Sequence, residues 1–209
     1  LDNKVDNFDS LQVDILREIA NIGTGHAAGA LGMLLGKTII QSVPKVKLIP
    51  IYEMQDVLGG PEKVVVAGML RLSGDISGYL LIIFNLDQAD KIIALMMGKT
   101  PSKRKSERRR FSTLDKSVLN ETFNIMSGSY LTAVASFTNM VLQQSIPFFC
   151  MDMVGAVLST ASAEIGKSGD YAIFFESELY SENEPINSAL ILIPDESSCK
   201  KLLESLGLV

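Results

Sequence analysis

Two segments of the 209-residue chain place a carboxylate and a carboxamide one helical turn apart. The first, DILREIANIGTGHAAGAL from Asp14, carries Glu18 and Asn21; the second, SVLNETFNIMSGSYLTAV from Ser117, carries Glu121 and Asn124. An asparagine offers donors and an acceptor without titrating, so it can hold a water molecule in a fixed direction but cannot deprotonate it. A glutamate supplies a charge suited to pairing with lysine or arginine. Neither is a strong nucleophile, and the pair alone is not a metal site. The chemistry open to such a pair is catalysis by positioning, and phosphoryl transfer is a reaction in which positioning can suffice.

Helical periodicity decides which way these groups point. At 100° per residue, with Asp14 at 0°, Glu18, Asn21 and Gly25 fall in one stripe about 60° wide. Ile15, Leu16, Ile19, Ala20 and Gly23 lie on the other side and are expected to pack on a sheet. The second helix repeats the pattern: Ser117, Glu121, Asn124 and Gly128 form the stripe, and Val118, Leu119, Thr122 and Met126 face away from it. The glycines, one turn beyond each asparagine, are expected to let another surface come close. Glycine or asparagine inside a helix costs up to roughly 1 kcal/mol relative to alanine, so its repetition at one place suggests use. Duplication alone would copy a structural stripe as well, and the geometry by itself leaves both readings open.

The elements around the two helices also recur. The first half reads as a helix from about Leu11 to Leu35, extended stretches TIIQSVPKVKLIPI, EKVVVAGMLRL and GYLLIIFN, and a helix LDQADKIIALMMG. The second reads as a helix from about Thr113 to Phe137, stretches VLQQSIPFFCMDM, DYAIFFESELY and SALILIPD, and a helix ESSCKKLLESLG. Strands are assigned from short apolar runs rich in β-branched and aromatic residues, and the last helices stop at Gly98 and Gly207. Asn21 maps to Asn124 and Pro44 to Pro147 at the same offset of 103, and later elements shift by a few residues. The expected fold class is α+β: internally duplicated α-β-β-β-α units with pseudo-twofold symmetry, helices packed on a largely antiparallel sheet. The repeats span about 10–98 and 113–207 within one domain of 1–209, joined by a basic linker, 99–112.

Composition narrows the function classes. With 47% hydrophobic residues and 21% charged, the chain can bury a sizeable core. Its longest apolar runs fall well short of the roughly 20 residues that cross a bilayer, so no membrane insertion is expected. LDNKVDNFDS is polar and acidic, unlike a signal peptide, and the expected location is cytoplasmic. Cys150 and Cys199 have no metal-type spacing. The run KRKSERRR holds six basic residues against Glu107, leaving 13 basic and 23 acidic residues elsewhere. Without interleaved aromatics it reads as a solvated linker, and no nucleic-acid partner is expected. GTGHAAG spaces its glycines as G-x-G-x-x-x-G within a helical pattern, which does not make a dinucleotide loop. His26 is the only histidine and its counterpart in the second half is Ser129, so neither a repeated catalytic histidine nor a hydrolytic triad fits.

The spacing [Asp/Ser]-x3-Glu-x2-Asn-x22-Pro occurs as Asp14, Glu18, Asn21 and Pro44, and again as Ser117, Glu121, Asn124 and Pro147. It resembles the signature of the CheC/CheX/FliY family of CheY-phosphate phosphatases in bacterial and archaeal chemotaxis, over nearly the whole chain. Two complete copies resemble the CheC branch more than the one-copy, dimeric CheX branch. The resemblance implies hydrolysis of the aspartyl phosphate of the response regulator CheY. Asn21 and Asn124 would align the attacking water, and Glu18 and Glu121 would pair with the regulator's active-site lysine. Asp14 and Ser117 would help the fit, and Pro44 and Pro147 would shape the start of a strand. No cofactor of its own is implied; Mg²⁺ belongs to the regulator. The receptor deamidase CheD is implied as a further partner, and the internal duplication makes a monomer sufficient. The alternative is a CheC-like binding module that docks to CheD or the flagellar switch with little catalysis.

Overall fold

In the computed structural model, residues 10–99, 110–165, 171–181 and 184–207 are described. The first half runs α1 (Ser10–Leu35), β1 (Ile39–Gln41), β2 (Lys45–Pro50), a 3₁₀ turn (Ile51–Glu53) leading into α2 (Met54–Val57), β3 (Val64–Gly74), β4 (Gly78–Asn85) and α3 (Leu86–Met96). The second runs α4 (Thr113–Thr138), β5 (Leu142–Gln144), β6 (Phe148–Met153), α5 (Val154–Ile165), β7 (Tyr171–Ser181), β8 (Glu184–Pro194) and α6 (Glu196–Ser205). Residues 100–109, with all of the basic run except Arg110, lie outside the described residues.

The long helices α1 and α4 begin and end at positions 103 apart, close to the periodicity's expectation. Helix α4 starts at a capping box: Ser112 accepts from the Asp115 backbone N–H while the Asp115 carboxylate accepts from that of Ser112. Gly98 and Gly207, just past α3 and α6, take positive φ of 62° and 69°, the left-handed turn that glycine makes at little cost. Two features differ from expectation. The first extended stretch of each half is split at its proline, giving β1 with β2 and β5 with β6, because proline has no N–H for the ladder. Helix α5 also occupies a segment to which the strand and helix patterns had assigned nothing.

The eight strands among the described residues join one antiparallel sheet in the order β1-β7-β8-β4-β3-β5, with β2 also on β7 and β6 also on β3. β1 and β2 lie end to end along β7, and β5 and β6 end to end along β3. Each half therefore gives its first two strands to the other half, and β4 against β8 forms the central seam. Exchanging the halves turns the strand order into its own reverse, as twofold character requires.

Both faces of the sheet are covered, which is why its strands read as unbroken apolar runs. Val66, Leu70, Leu80, Ile82, Phe84, Ile173, Phe175 and Leu190 point to one core with α1, α3, α4 and α6. Their neighbours Val65, Ala67, Met69, Leu81, Ile83, Phe174 and Ile191 point to a second core with α2 and α5. Burying one such aliphatic side chain contributes about 1.5–3 kcal/mol.

Close contacts fix the two long helices on the sheet. At Gly23 of α1 an added Cβ would stand 2.9 Å from the Tyr130 ring of α4. The buried Thr24 hydroxyl donates to the Ala20 carbonyl and so accepts from the Tyr130 hydroxyl. Under α4, Gly68 of β3 leaves the space in which the Phe123 ring lies, stacked on Phe84 with centroids 5.8 Å apart. The counterparts of that pair, by position in the two halves, are Ala20 and Phe175, with the sizes exchanged.

Candidate functional site

The outward stripes are where periodicity placed them. Asp14, Glu18, Ser117, Glu121 and Asn124 are exposed, and Asn21, Gly25 and Gly128 are half-buried. Leu16, Ile19, Ala20, Leu119, Thr122 and Met126 face the core. The two stripes lie towards opposite edges of the sheet, since α1 packs beside β1 and β2 and α4 beside β5 and β6. Neither Glu18 nor Glu121 has a hydrogen-bond or ion-pair partner among the described residues, so each carboxylate is available to a cation from outside.

The first positions of the motif are engaged within their own helices. Arg17 pairs with the Asp14 carboxylate three residues away, and the Ser117 hydroxyl donates to the Thr113 carbonyl. Pro44 and Pro147 stand immediately before β2 and β6, where they end the short strands β1 and β5. Each stands three residues beyond the last residue of that short strand.

That strand supplies a residue the sequence reading missed. Gln41, the last residue of β1, donates its Nε2 to Asn21 Oδ1 at 3.1 Å and to the Asn21 main-chain carbonyl at 3.2 Å. Gln144, the last residue of β5, donates its Nε2 to Asn124 Oδ1 at the same 3.1 Å. Each glutamine is held by the opposite half: Gln41 pairs with Leu179 of β7 and Gln144 with Leu72 of β3. The next residues extend that grip, with the Ser42 N–H donating to the Glu178 carbonyl and the Ser145 N–H to that of Arg71, both at 2.9 Å. A Cβ on Gly25 would meet Gln41 Nε2 at 3.4 Å, and one on Gly128 would meet Gln144 Nε2 at 3.9 Å. The space beside each glycine is thus bordered by the chain's own glutamine. The signal in the sequence was the recurrence of Gln-Ser-x-Pro, QSVP and QSIP, at the 103-residue offset.

The two sites are not identical. Asn21 is half-buried and its glutamine makes two bonds, whereas Asn124 is exposed. His26 is exposed on α1, and its counterpart Ser129 donates to the Ile125 carbonyl of its own helix. Cys150, on β6, is pushed up to about 11 by burial and then by the Asp152 charge. Among the described residues no group of three or more His, Cys, Asp or Glu is placed to hold a metal ion, and no helix is long and apolar enough to cross a membrane.

Comparison with known proteins places the chain in a family. The CheC-like family profile matches residues 11–48, the segment that carries Glu18, Asn21, Gln41 and Pro44. The chain is 35% identical to the CheY-P phosphatase CheC of Bacillus subtilis (strain 168), over 94% of both chains. The chain belongs to the CheC-like family. A more distant relative, the flagellar motor switch phosphatase FliY of the same organism, is 27% identical over 69% of this chain and 36% of its own length. Among solved structures, Thermotoga maritima FliY superposes with a TM-score of 0.74, covering 95% of this chain and 97% of its own at 21% identity. That last likeness shows the α+β fold of this chain, whose described residues form six α-helices packed on one antiparallel sheet.

Proposed function

We propose that the chain is a phosphatase that removes the aspartyl phosphate of a CheY-type response regulator, with two sites. The observation that carries the reading is the recurrence, at opposite edges of one sheet, of an outward glutamate and asparagine whose carboxamide is gripped by a glutamine. The name of the Bacillus subtilis relative, CheY-P phosphatase, gives the substrate class.

In this reading Asn21 and Asn124 each enter the regulator's active site and hold a water in line with the P–O bond to its aspartate. The water oxygen bonds to phosphorus, the aspartate carboxylate leaves with the electron pair, and the water proton passes to the departing phosphate or to solvent. A carboxylate is a good leaving group, so the asparagine need not act as a base, and orientation is its contribution. Glu18 and Glu121, unpaired within the described residues, bind the regulator's lysine. Any Mg²⁺ sits in the regulator. Asp14 and Ser117 border the contact, and Pro44 and Pro147 hold the strands behind it. CheD as a further partner, a monomeric state and a cytoplasmic location are part of the same proposal, as are the two repeats, 10–98 and 113–207, and the linker between them.

The test is phosphate release from phosphorylated CheY in the presence of Mg²⁺. Asn21→Ala combined with Asn124→Ala should remove the acceleration, and each single variant should retain the activity of the other site. Full activity in the double variant would sink the mechanism. A stable complex with CheD or the switch but no change in phosphate lifetime would establish the binding-module alternative.

A further inference from the structure

The bond between glutamine and asparagine is made twice, with the same atoms facing. At the first site the amide orientation is dictated by chemistry. The main-chain carbonyl of Asn21 accepts only, so the Gln41 atom 3.2 Å from it must be the nitrogen. The Asn21 side-chain atom 3.1 Å from that same nitrogen must then be the oxygen. The Asn21 carboxamide is thereby locked with Oδ1 towards β1 and Nδ2 on the other side. At the second site Gln144 presents the same atom to Asn124 Oδ1. The Oε1 atoms of Gln41 and Gln144 are both buried without a hydrogen-bond partner among the described residues.

We infer that Gln41 and Gln144 are positioning residues that orient the carboxamides of Asn21 and Asn124 before the partner arrives. This rests on the phosphatase reading and deepens it. An unsupported asparagine turns freely about its last torsion and presents nitrogen or oxygen to a water almost indifferently. With Oδ1 holding the glutamine N–H, one Oδ1 lone pair and both Nδ2 hydrogens remain, at fixed directions, to hold the water against phosphorus. The glutamine is itself immobilised by the other half's strand, so each site's orientation is set by the inter-half pairing. A Cβ at Gly25 or Gly128 would reach the glutamine only at ordinary van der Waals distance, so the glutamine is held by its strand and its hydrogen bond.

The experiment replaces each glutamine with leucine, which fills similar space without a donor, and isolates the sites with the asparagine variants. Gln41→Leu is measured in the Asn124→Ala background and Gln144→Leu in the Asn21→Ala background, as phosphate release from phosphorylated CheY. The expected result is a fall in kcat of about tenfold, the scale of a modest misplacement of a positioning group, with KM for the regulator unchanged. A merely structural glutamine would instead lower thermal stability and raise KM along with any fall in kcat. In the unsubstituted protein, the side-chain amide hydrogens of Gln41 and Gln144 should exchange with solvent more slowly than those of Gln143, which is exposed. Unchanged kcat in both leucine variants, or ordinary exchange at both glutamines, overturns the inference while the phosphatase reading survives on the asparagine double variant. Full activity in that double variant overturns both.

Discussion

Replacing Gly68 with alanine tests whether the height of α4 above the sheet governs the second site. The added Cβ would stand 2.3 Å from Phe123 Cγ, 2.4 Å from Cδ2 and 2.8 Å from Cδ1. Carbon atoms normally rest about 3.5–4.0 Å apart, so the ring must retreat by roughly 1 Å or more. Phe123 is fully buried and lies against Phe84, so it cannot slide sideways without opening a gap, and α4 must lift with it. Overpacking of this kind costs about 1–3 kcal/mol. The opposing term, fewer conformations in the unfolded chain when glycine becomes alanine, returns only about 0.4–1 kcal/mol. Overpacking wins, and Gly68→Ala should lose about 1–2 kcal/mol in urea denaturation. Because Phe123 immediately precedes Asn124, phosphate release should fall more in the Asn21→Ala background, which reports the second site, than in the Asn124→Ala background. Adding Phe123→Leu, which shortens the clashing side chain, should recover part of the stability. Unchanged stability, or equal losses at the two sites, would refute this account of how α4 is seated.

Two further outcomes follow from charge and burial. The Val141 backbone N–H, and after it Lys201, hold the Asp75 carboxylate below its ordinary range; a lowered folded pKa contributes stability above the unfolded value of about 3.9 and loses it as pH falls through the folded value. Asp75→Asn should therefore be less stable than the parent at neutral pH, with the difference closing below about pH 4 in pH-dependent denaturation. The Cys150 thiol, pushed up to about 11 by burial and the Asp152 charge, is roughly one part in a thousand ionised at pH 8, against about a quarter for an ordinary thiol. Alkylation of Cys150 in the native protein should be at least about a hundredfold slower than after denaturation, read by mass spectrometry of the peptide.

Much of the site was legible because helical periodicity is a local property. Leu16, Ile19 and Ala20 had to be buried for α1 to pack, and that left Glu18 and Asn21 facing out; the same logic held for α4. Helix α5 was harder, since VGAVLSTASAEI mixes glycine, threonine and β-branched residues that weaken helix propensity. Its buried positions Val154, Val157, Leu158 and Ala161 nonetheless keep helical spacing. Gln41 and Gln144 looked like ordinary strand residues, because their importance lies in a hydrogen bond across tertiary structure. Only their shared place before Ser-x-Pro distinguished them. The exchange of β1 and β2 for β5 and β6 left no local trace, since any of these runs could have paired with any other.

That exchange also sets the order in which the protein can be made. Lys45 of β2 finds its place beside Glu176 of β7, 131 residues later. At about 5–20 residues per second, a nascent chain waits on the order of ten seconds between the two. During that interval β1 and β2 have no sheet to join, while β3 and β4 can already close as a hairpin. β5 and β6 then meet a waiting β3 edge, whereas the first site's strand has no partner until β7 is made. The first site is thus completed only after β7 has been made, so a chain interrupted before β7 has the first asparagine but lacks the strand that anchors its glutamine.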